Sequence, residues 1–451
     1  MELKGKNVLV IGLARSGTAA ALELKKLGAN VVANDIKPKK DLKDANILEN
    51  QHIKSVFGGH PLKLLEQCDL IVVSPGVPED IEILVEAKSR DIPVISELEL
   101  GYWFVNAPLI AVTGTNGKTT TTTLIAEVLK NDGRDISVAG NIGVPLIQKV
   151  EPKEQKDYFV IEVSSFQLEH IMHFKPYISV ILNLTKDHLN RHKSFDNYLE
   201  AKARILENQD ENDYAVLNYD DELVSSLSKR SKGKVVYFSR KHDLERGACV
   251  KNGVIVVKDN GIMIPILKAE ELGMRGSHNL ENALAVVCVA WITKANLNNL
   301  AETLKVFHGV EHRLEQVAII GGIKYINDSK GTNPDAAIKA INAVDGPVVL
   351  IAGGYDKKSD YTDFIRSFNN KVKKMILIGE TAPLIEEAAR KQGYRNIQKA
   401  RTLREAVLAA AESARPGDTV LFSPACASWD MFKDFEERGR VFKEEVYSLK
   451  S

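Results

Sequence analysis

The sequence predicts an α/β protein of three domains in series, each built on a largely parallel sheet. Three observations carry that expectation. Short runs rich in Val and Ile alternate with helix-length segments, the pattern of parallel strands joined by crossover helices. The rhythm restarts twice along 451 residues, a length beyond what one compact core fills. The middle block opens with the apolar run PLIAV followed by TGTNGKTTT, a strand, glycine turn and helix with the composition of a phosphate-binding loop.

The first block, residues 1–98, reads NVLVIGL as a strand and 16–27 as a helix, then NVVAND, LIVVSPGVP, a helix and IPVIS. Its opening GLARSG has Gly12 and Gly17 but Ala14 where the dinucleotide fingerprint needs its middle glycine, which argues against an NAD-dependent oxidoreductase. Asp35 closes the second strand, where such folds hold a ribose or a base, so a nucleotide-like ligand is expected there. The second block, 99–310, continues from the loop through DISVAGN, YFVIEVSS, YISVILNLT, YAVLNYD and KVVYFS. VIVVKDNGIMIPI predicts a hairpin, hence a small antiparallel sheet beside the parallel one, and a helix over 279–292 ends the block. The third block, 311–451, spaces YINDSKGTNP, VVLIAGGYD, MILIGE and TVLFSPA by helix-length segments.

Composition removes several function classes. Lys plus Arg equals Asp plus Glu at 60 each, without the basic footprint of a nucleic-acid binder. Cys68, Cys249, Cys288 and Cys426 are dispersed with no CxxC pair, which disfavours a zinc site or a disulfide framework. No apolar run reaches membrane-spanning length, and NVLVIGLA, broken by Arg15, lacks a signal-peptide cleavage pattern. A cytoplasmic protein with no membrane or nucleic-acid partner is expected.

The loop misses the strict Walker pattern, which needs glycine at the position of Val112. Its physics survives. Backbone N–H groups of the turn Gly114, Thr115, Asn116 and Gly117, with those opening the helix, form a nest for phosphate oxygens. Lys118 would reach the terminal phosphates and Thr119 would offer its hydroxyl to Mg²⁺, so the loop is read as an ATP site.

Glu162 ends the strand YFVIEV at the carboxyl edge of the sheet, where a buried carboxylate is costly without a partner; a metal-ligand role is favoured. In NLTKDHLNRH, Asp187 and His188 follow another strand end, and His188 is either structural or, converging with Glu162 and the loop, a ligand for Mg²⁺ or substrate. Lys202, among the charges of LEAKARIL, reads as a solvated surface lysine. Asn279 and Asn282 share a helix face, to read an adenine edge or to cross-link helices. His312, Arg313, Asp328 and Lys330 stand at the start of the third block, suited either to phosphate charge on domain closure or to interdomain salt bridges.

With these residues assembled, the chain resembles the Mur ligase family, the ATP-dependent amino-acid-adding enzymes of peptidoglycan synthesis. TGTNGKTTT, GNIG, EVSSFQLE, NLTKDHL, AKARI, SHNLENALA, EHRLE, NDSKGTNP and SPACASWDMFKDFEERG occur in the family's order over essentially the whole length. EVSSFQLE and the last segment are most similar to the D-glutamate-adding branch; a neighbouring branch or a folate-polyglutamate relative would share the ATP residues and differ in the third block. A P-loop nucleotide switch, the rival of another class, leaves the third block's motifs unexplained.

The resemblance implies a Rossmann-like UDP-binding domain at 1–98, a P-loop-type ATPase domain at 99–310 and a Rossmann-like C-terminal domain at 311–451. ATP would phosphorylate the carboxylate of UDP-N-acetylmuramoyl-L-alanine, and the amine of D-glutamate would attack the acyl phosphate, with closure of the third domain excluding water. Lys118, Thr119 and Thr120, with Gly114 to Gly117, correspond to the ATP-phosphate groups; Thr119, Glu162 and His188 to metal ligands; His188 also to a substrate contact. Lys202 corresponds to a lysine carbamylated in the family, which would help hold a second Mg²⁺. Asn279, Asn282, Arg313 and Asp328 correspond to nucleotide contacts, and His312 and Lys330 to groups near the transferred phosphoryl. Thr332, Lys357, Ser428 and Phe435 correspond to the D-glutamate pocket. Arg15, Ser16, Asp35, Ile36, Lys37 and Gly76, with Asn141, fall where the UDP moiety is held. A monomer is expected.

Overall fold

The computed structural model describes residues 3–42, 44–141, 143–150, 155–185, 187, 189–274, 276–356 and 359–449. They form two compact units, Met1–Phe307 and His308–Ser451.

The first unit contains two sheets. One is all-parallel: β1 (Asn7–Ile11), β2 (Asn30–Asp35), β3 (Lys54–Phe57), β4 (Leu70–Val73) and β5 (Val94–Ser96), in the order β3-β2-β1-β4-β5. Its central strands are continuous apolar runs because helices cover both faces. The chain winds outward from β1 to β3 and then crosses to the other side of β1, so the crevice between β1 and β4 is the switch point where ligands of open α/β sheets sit.

The second sheet comprises β6 (Leu109–Thr113), β7 (Ile136–Gly140), β8 (Tyr158–Glu162), β9 (Ile178–Ile181), β10 (Tyr214–Asn218), β11 (Lys234–Ser239), β12 (Gly247–Lys251), β13 (Val254–Asp259) and β14 (Ile262–Lys268). Its order is β14-β13-β12-β11-β10-β9-β6-β8-β7. The expected hairpin is present as β13 and β14, but it does not form a sheet of its own. The short strand β12 pairs in parallel with β11 and antiparallel with β13, and so joins all nine strands. Gly247 permits that junction, since a Cβ there would stand 1.9 Å from the Tyr237 carbonyl oxygen.

Helices Lys118–Asn131 and Ser277–Ile292 pack together over one face of this sheet. Every residue from Asn282 to Ala290 is buried, the signature of a helix apolar on all sides. Leu284, Val286, Val287 and Val289 each contribute roughly 1.5–3 kcal/mol by leaving water. That burial fixes the position of Asn282 at the helix's first turns.

Between the two sheets runs helix Glu97–Tyr102, capped by Ser96. The Glu99 carboxylate, fully buried, accepts the indole N–H of Trp103 and the backbone N–H groups of Met172, His173 and Phe174, at 2.7–2.9 Å. The sheets are thereby tied through one side chain.

The second unit holds β15 (Glu315–Ile320), β16 (Ile323–Asn327), β17 (Val348–Gly353), β18 (Val372–Ile378), β19 (Ile397–Lys399) and β20 (Thr419–Phe422), ordered β15-β16-β20-β17-β18-β19 with β15 alone antiparallel. Among the described residues no helix is long and apolar enough to cross a membrane. All four cysteines are free.

Candidate functional site

The turn after β6 has the conformation its glycines imply. Gly117 is left-handed at φ +83° and caps helix Lys118–Asn131, and a Cβ there would come within 2.3 Å of Asn282 Oδ1. No other residue fits without displacing that asparagine. Asn183, just past β9, braces the turn from outside: its Oδ1 accepts from the Asn116 N–H at 2.8 Å and its Nδ2 donates to the Asn116 carbonyl. Lys118 folds back so that Nζ donates to the carbonyls of Gly114 and Thr115, at 3.0 and 2.9 Å. Asn282 Nδ2 donates to Asn279 Oδ1 at 3.3 Å, which places both amides beside the turn. Thr120 follows on the same helix. A cavity of about 400 Å³, lined by Asn183, Asn218, Asp220, Lys241 and Glu281 among others, opens alongside.

Glu162 is buried at the end of β8 with both oxygens occupied. Oε2 accepts from Thr119 Oγ1 at 2.8 Å and Oε1 from Asn141 Nδ2 at 2.7 Å. Hydroxyl and carboxylate oxygens so placed are the hard donor set that suits Mg²⁺.

Lys202 corrects the surface reading drawn from its charged neighbours. It is 2% exposed, and Nζ donates to Thr113 Oγ1 at 3.2 Å and the Gly114 carbonyl at 2.9 Å, under the ring of Tyr198. The helix Phe195–Ala203 buries Tyr198, Ala201, Lys202 and Ala203, so the charged residues around Lys202 in the sequence lie on another face. Burial and the neighbouring Lys118 charge push the ammonium pKa well below its usual value, against the opposing fields of Asp187 and Glu162. The amine is therefore neutral at a lower pH than a solvated lysine. His188 lies outside the described residues.

In the first sheet Asp35 is taken up by backbone. Oδ2 accepts the Leu13 N–H at 2.6 Å and Oδ1 the Lys37 N–H at 2.8 Å, joining the turn after β1 to the end of β2. Arg15 and Ser16 open the helix that follows β1, and Gly76 follows β4, so these three flank the β1/β4 crevice, while Asp35 and Lys37 lie at the end of β2 on the other side of β1. Ile36, directly after β2, is 63% exposed. Asn141, by contrast, belongs to the Glu162 cluster.

The second unit collects its described candidates around the carboxyl ends of β16 and β20. Asp328 is buried; its carboxylate accepts from Ser423 Oγ at 2.7 Å and the Leu314 N–H at 3.2 Å, and burial raises its pKa to about 6. His312, left-handed at φ +64°, accepts from Asn327 Nδ2 at Nδ1, and burial lowers its pKa. Arg313, next in the chain, is exposed. The Lys330 N–H donates to the His312 carbonyl, and Lys330 Nζ lies over the Phe435 ring. Thr332 lies two residues beyond Lys330, and Ser428 is buried after a turn held left-handed at Ala425. Lys357 lies outside the described residues.

Sequence reasoning missed Asn183, Tyr198, Arg438 and a buried chain in which Ser165 Oγ meets His192 Nε2 at 3.0 Å and His192 Nδ1 lies 3.3 Å from Glu169. Asn183 directly follows a read strand and was within reach of that logic; the others reveal themselves only by burial.

Three family models match in chain order: "Mur ligase MurD-like, N-terminal domain" over 6–96, "Mur ligase middle domain" over 112–290 and "Mur ligase, glutamate ligase domain" over 312–426. A UDP-N-acetylmuramoylalanine--D-glutamate ligase of Thermoanaerobacter sp. (strain X514) is 53% identical over 453 residues, covering 100% of both chains. The chain belongs to the Mur ligase family. Another Mur ligase of the same name, from Clostridioides difficile (strain 630), is 44% identical over 100% of both chains. Among solved structures, the Mur ligase MurC from Thermotoga maritima matches with a TM-score of 0.56 at 22% identity, covering 98% of this chain and 99% of that one. MurF from Acinetobacter baumannii matches at 0.57 and 18%, covering 96% and 93%. These two show the shared fold.

Proposed function

We propose that this Mur ligase joins D-glutamate to UDP-N-acetylmuramoyl-L-alanine with consumption of ATP, through an acyl phosphate, as a cytoplasmic monomer with no nucleic-acid or membrane partner. The division into 1–98 for the UDP substrate, 99–310 for ATP and 311–451 for the amino acid is part of the same reading. The observation that carries it is the cluster of Lys118, Thr119, Glu162 and Lys202 around one phosphate-type turn, within a chain 53% identical end to end to a ligase named for D-glutamate.

In this reading the turn 114–117 and Lys118 bind the ATP phosphates, while Asn279, Asn282, Arg313 and Asp328 hold the nucleoside. Thr119, Glu162 and His188 would hold Mg²⁺, which supplies charge neutralisation between the two anionic reactants. Lys202 is buried and its pKa is lowered, which favours the unprotonated amine that CO₂ needs to form a carbamate; the resulting carboxylate would serve a second Mg²⁺. His312 and Lys330 stand near the transferred phosphoryl. Arg15, Ser16, Asp35, Ile36, Lys37, Gly76 and Asn141 receive the UDP-sugar, and Thr332, Lys357, Ser428 and Phe435 orient the amino acid for attack.

The test is product analysis by mass spectrometry with ATP, Mg²⁺, UDP-N-acetylmuramoyl-L-alanine and a panel of amino acids. A D-glutamate adduct formed with ADP and phosphate is the expected result. Another amino acid in the adduct overturns the acceptor assignment, and ATP hydrolysis without adduct returns the nucleotide-switch reading.

A further inference from the structure

Helix Phe435–Ser448 carries Arg438 into the interior of the second unit, where it is 1% exposed. Its guanidinium donates from Nε to Ser329 Oγ at 3.0 Å and from Nη2 to the Ser329 carbonyl at 2.8 Å. Nη1 donates to the carbonyls of Cys426 and Ala427, at 3.1 and 3.0 Å. Phe422 lies beneath it. Every one of these acceptors is neutral, and among the described residues no carboxylate forms an ion pair with it. Burial lowers its pKa to about 10, still cationic at neutral pH. An apolar side chain of similar volume would leave the Ser329 and Cys426 carbonyls without this donor, so the charge is tied to the groups it joins rather than to an ion pair.

What the guanidinium joins explains its place. Ser329 stands between Asp328 and Lys330, and its Oγ donates onward to the Phe435 carbonyl at 2.8 Å. Cys426 and Ala427 lead into Ser428 from Ala425, a non-glycine residue at φ +59° that persists only if its surroundings hold it. The Ala427 carbonyl also accepts the Tyr355 N–H, and a Cβ on Gly354 would lie 2.2 Å from that oxygen. Three loops, 328–332, 353–356 and 425–428, and the start of one helix therefore converge on a single side chain. They carry Asp328, Lys330, Thr332, Ser428 and Phe435.

We propose that Arg438 is a positioning residue for the amino-acid acceptor, a fork whose donors set the spacing between the Ser329 loop and the Ala427 loop. This rests on the acceptor assignment above. Lysine cannot replace it, because an ammonium is a point donor and cannot reach both loops with fixed geometry.

The experiment is steady-state kinetics of the full chain carrying Arg438→Lys or Ser329→Ala, with melting curves for each. Arg438→Lys raises the KM for D-glutamate by about tenfold or more while the KM for UDP-N-acetylmuramoyl-L-alanine stays within about twofold. Ser329→Ala, which removes one partner and keeps the carbonyl, moves the same KM by about threefold. If Arg438→Lys fails to fold, Ser329→Ala decides alone. A lower melting temperature with both KM values unchanged in the folded variants overturns the proposal. Absence of D-glutamate addition by the parent chain overturns the acceptor reading instead.

Discussion

Thr119 and Glu162, 43 residues apart in sequence, are joined by a hydrogen bond of 2.8 Å, hydroxyl to carboxylate, across the ends of neighbouring elements. β6 and β8 pair side by side in parallel, so the turn after one and the last residue of the other emerge together at the carboxyl edge. The start of helix Lys118–Asn131 and the buried carboxylate at the end of β8 meet there without any loop to reach across.

Glu162→Gln keeps the size and the Thr119 contact but removes the charge. Product formation titrated with Mg²⁺ is expected to show kcat/KM lower by about 100-fold or more, with a higher Mg²⁺ requirement.

Lys202→Met tests the buried amine from two sides. The folded-state pKa lies below the unfolded one, so between those two values the unfolded chain binds the extra proton and stability rises with pH. At neutral pH the lysine therefore costs stability. In CO₂-free buffer Lys202→Met is expected to raise the melting temperature by about 1 °C or more while abolishing ligation. Bicarbonate should raise the melting temperature of the parent chain and not of the variant.

Gly117→Ala adds a methyl group against Asn282 Oδ1 at a left-handed position. The KM for ATP is expected to rise by about tenfold or more, with roughly 1–2 kcal/mol lost in denaturant unfolding. Adding Asn282→Ala relieves the steric part, so the stability losses of the pair should be clearly less than additive.

Asp328 carries the opposite sign from a salt-bridged carboxylate. Its folded pKa of about 6 lies above the unfolded value, so its contribution is whole below the unfolded pKa and is lost as pH rises through about 6. Asp328→Asn is thus expected to stabilise the chain at pH 8 relative to pH 4, by on the order of 1–3 kcal/mol in paired unfolding curves. Ligase activity should fall in the same variant.

Legibility in the sequence followed how local each determinant is. The turn around Gly117 was readable because strand, glycines, lysine and helix are contiguous, and Glu162 because it ends a strongly apolar strand. β12, five residues beginning with Gly247, carries almost no β signal, so its role in merging two expected sheets was hidden. Lys202 misled because its chain neighbours are charged while its surroundings in space are Thr113, Gly114 and Tyr198. Arg438 stayed unread for the same reason: the acidic residues beside it in FEERGR are not what it touches.

The single carboxylate of Glu99 has a consequence for how the first unit comes apart. Three consecutive amides and an indole share one buried acceptor, so losing that carboxylate strands all four donors away from water. The amides of 172–174 should exchange with deuterium only as the whole unit opens, on the slowest timescale of the molecule. A protease cut between Glu99 and Trp103 would therefore part the acid from all four of its donors at once, and the carboxyl-side fragment would keep three amides and an indole with no acceptor.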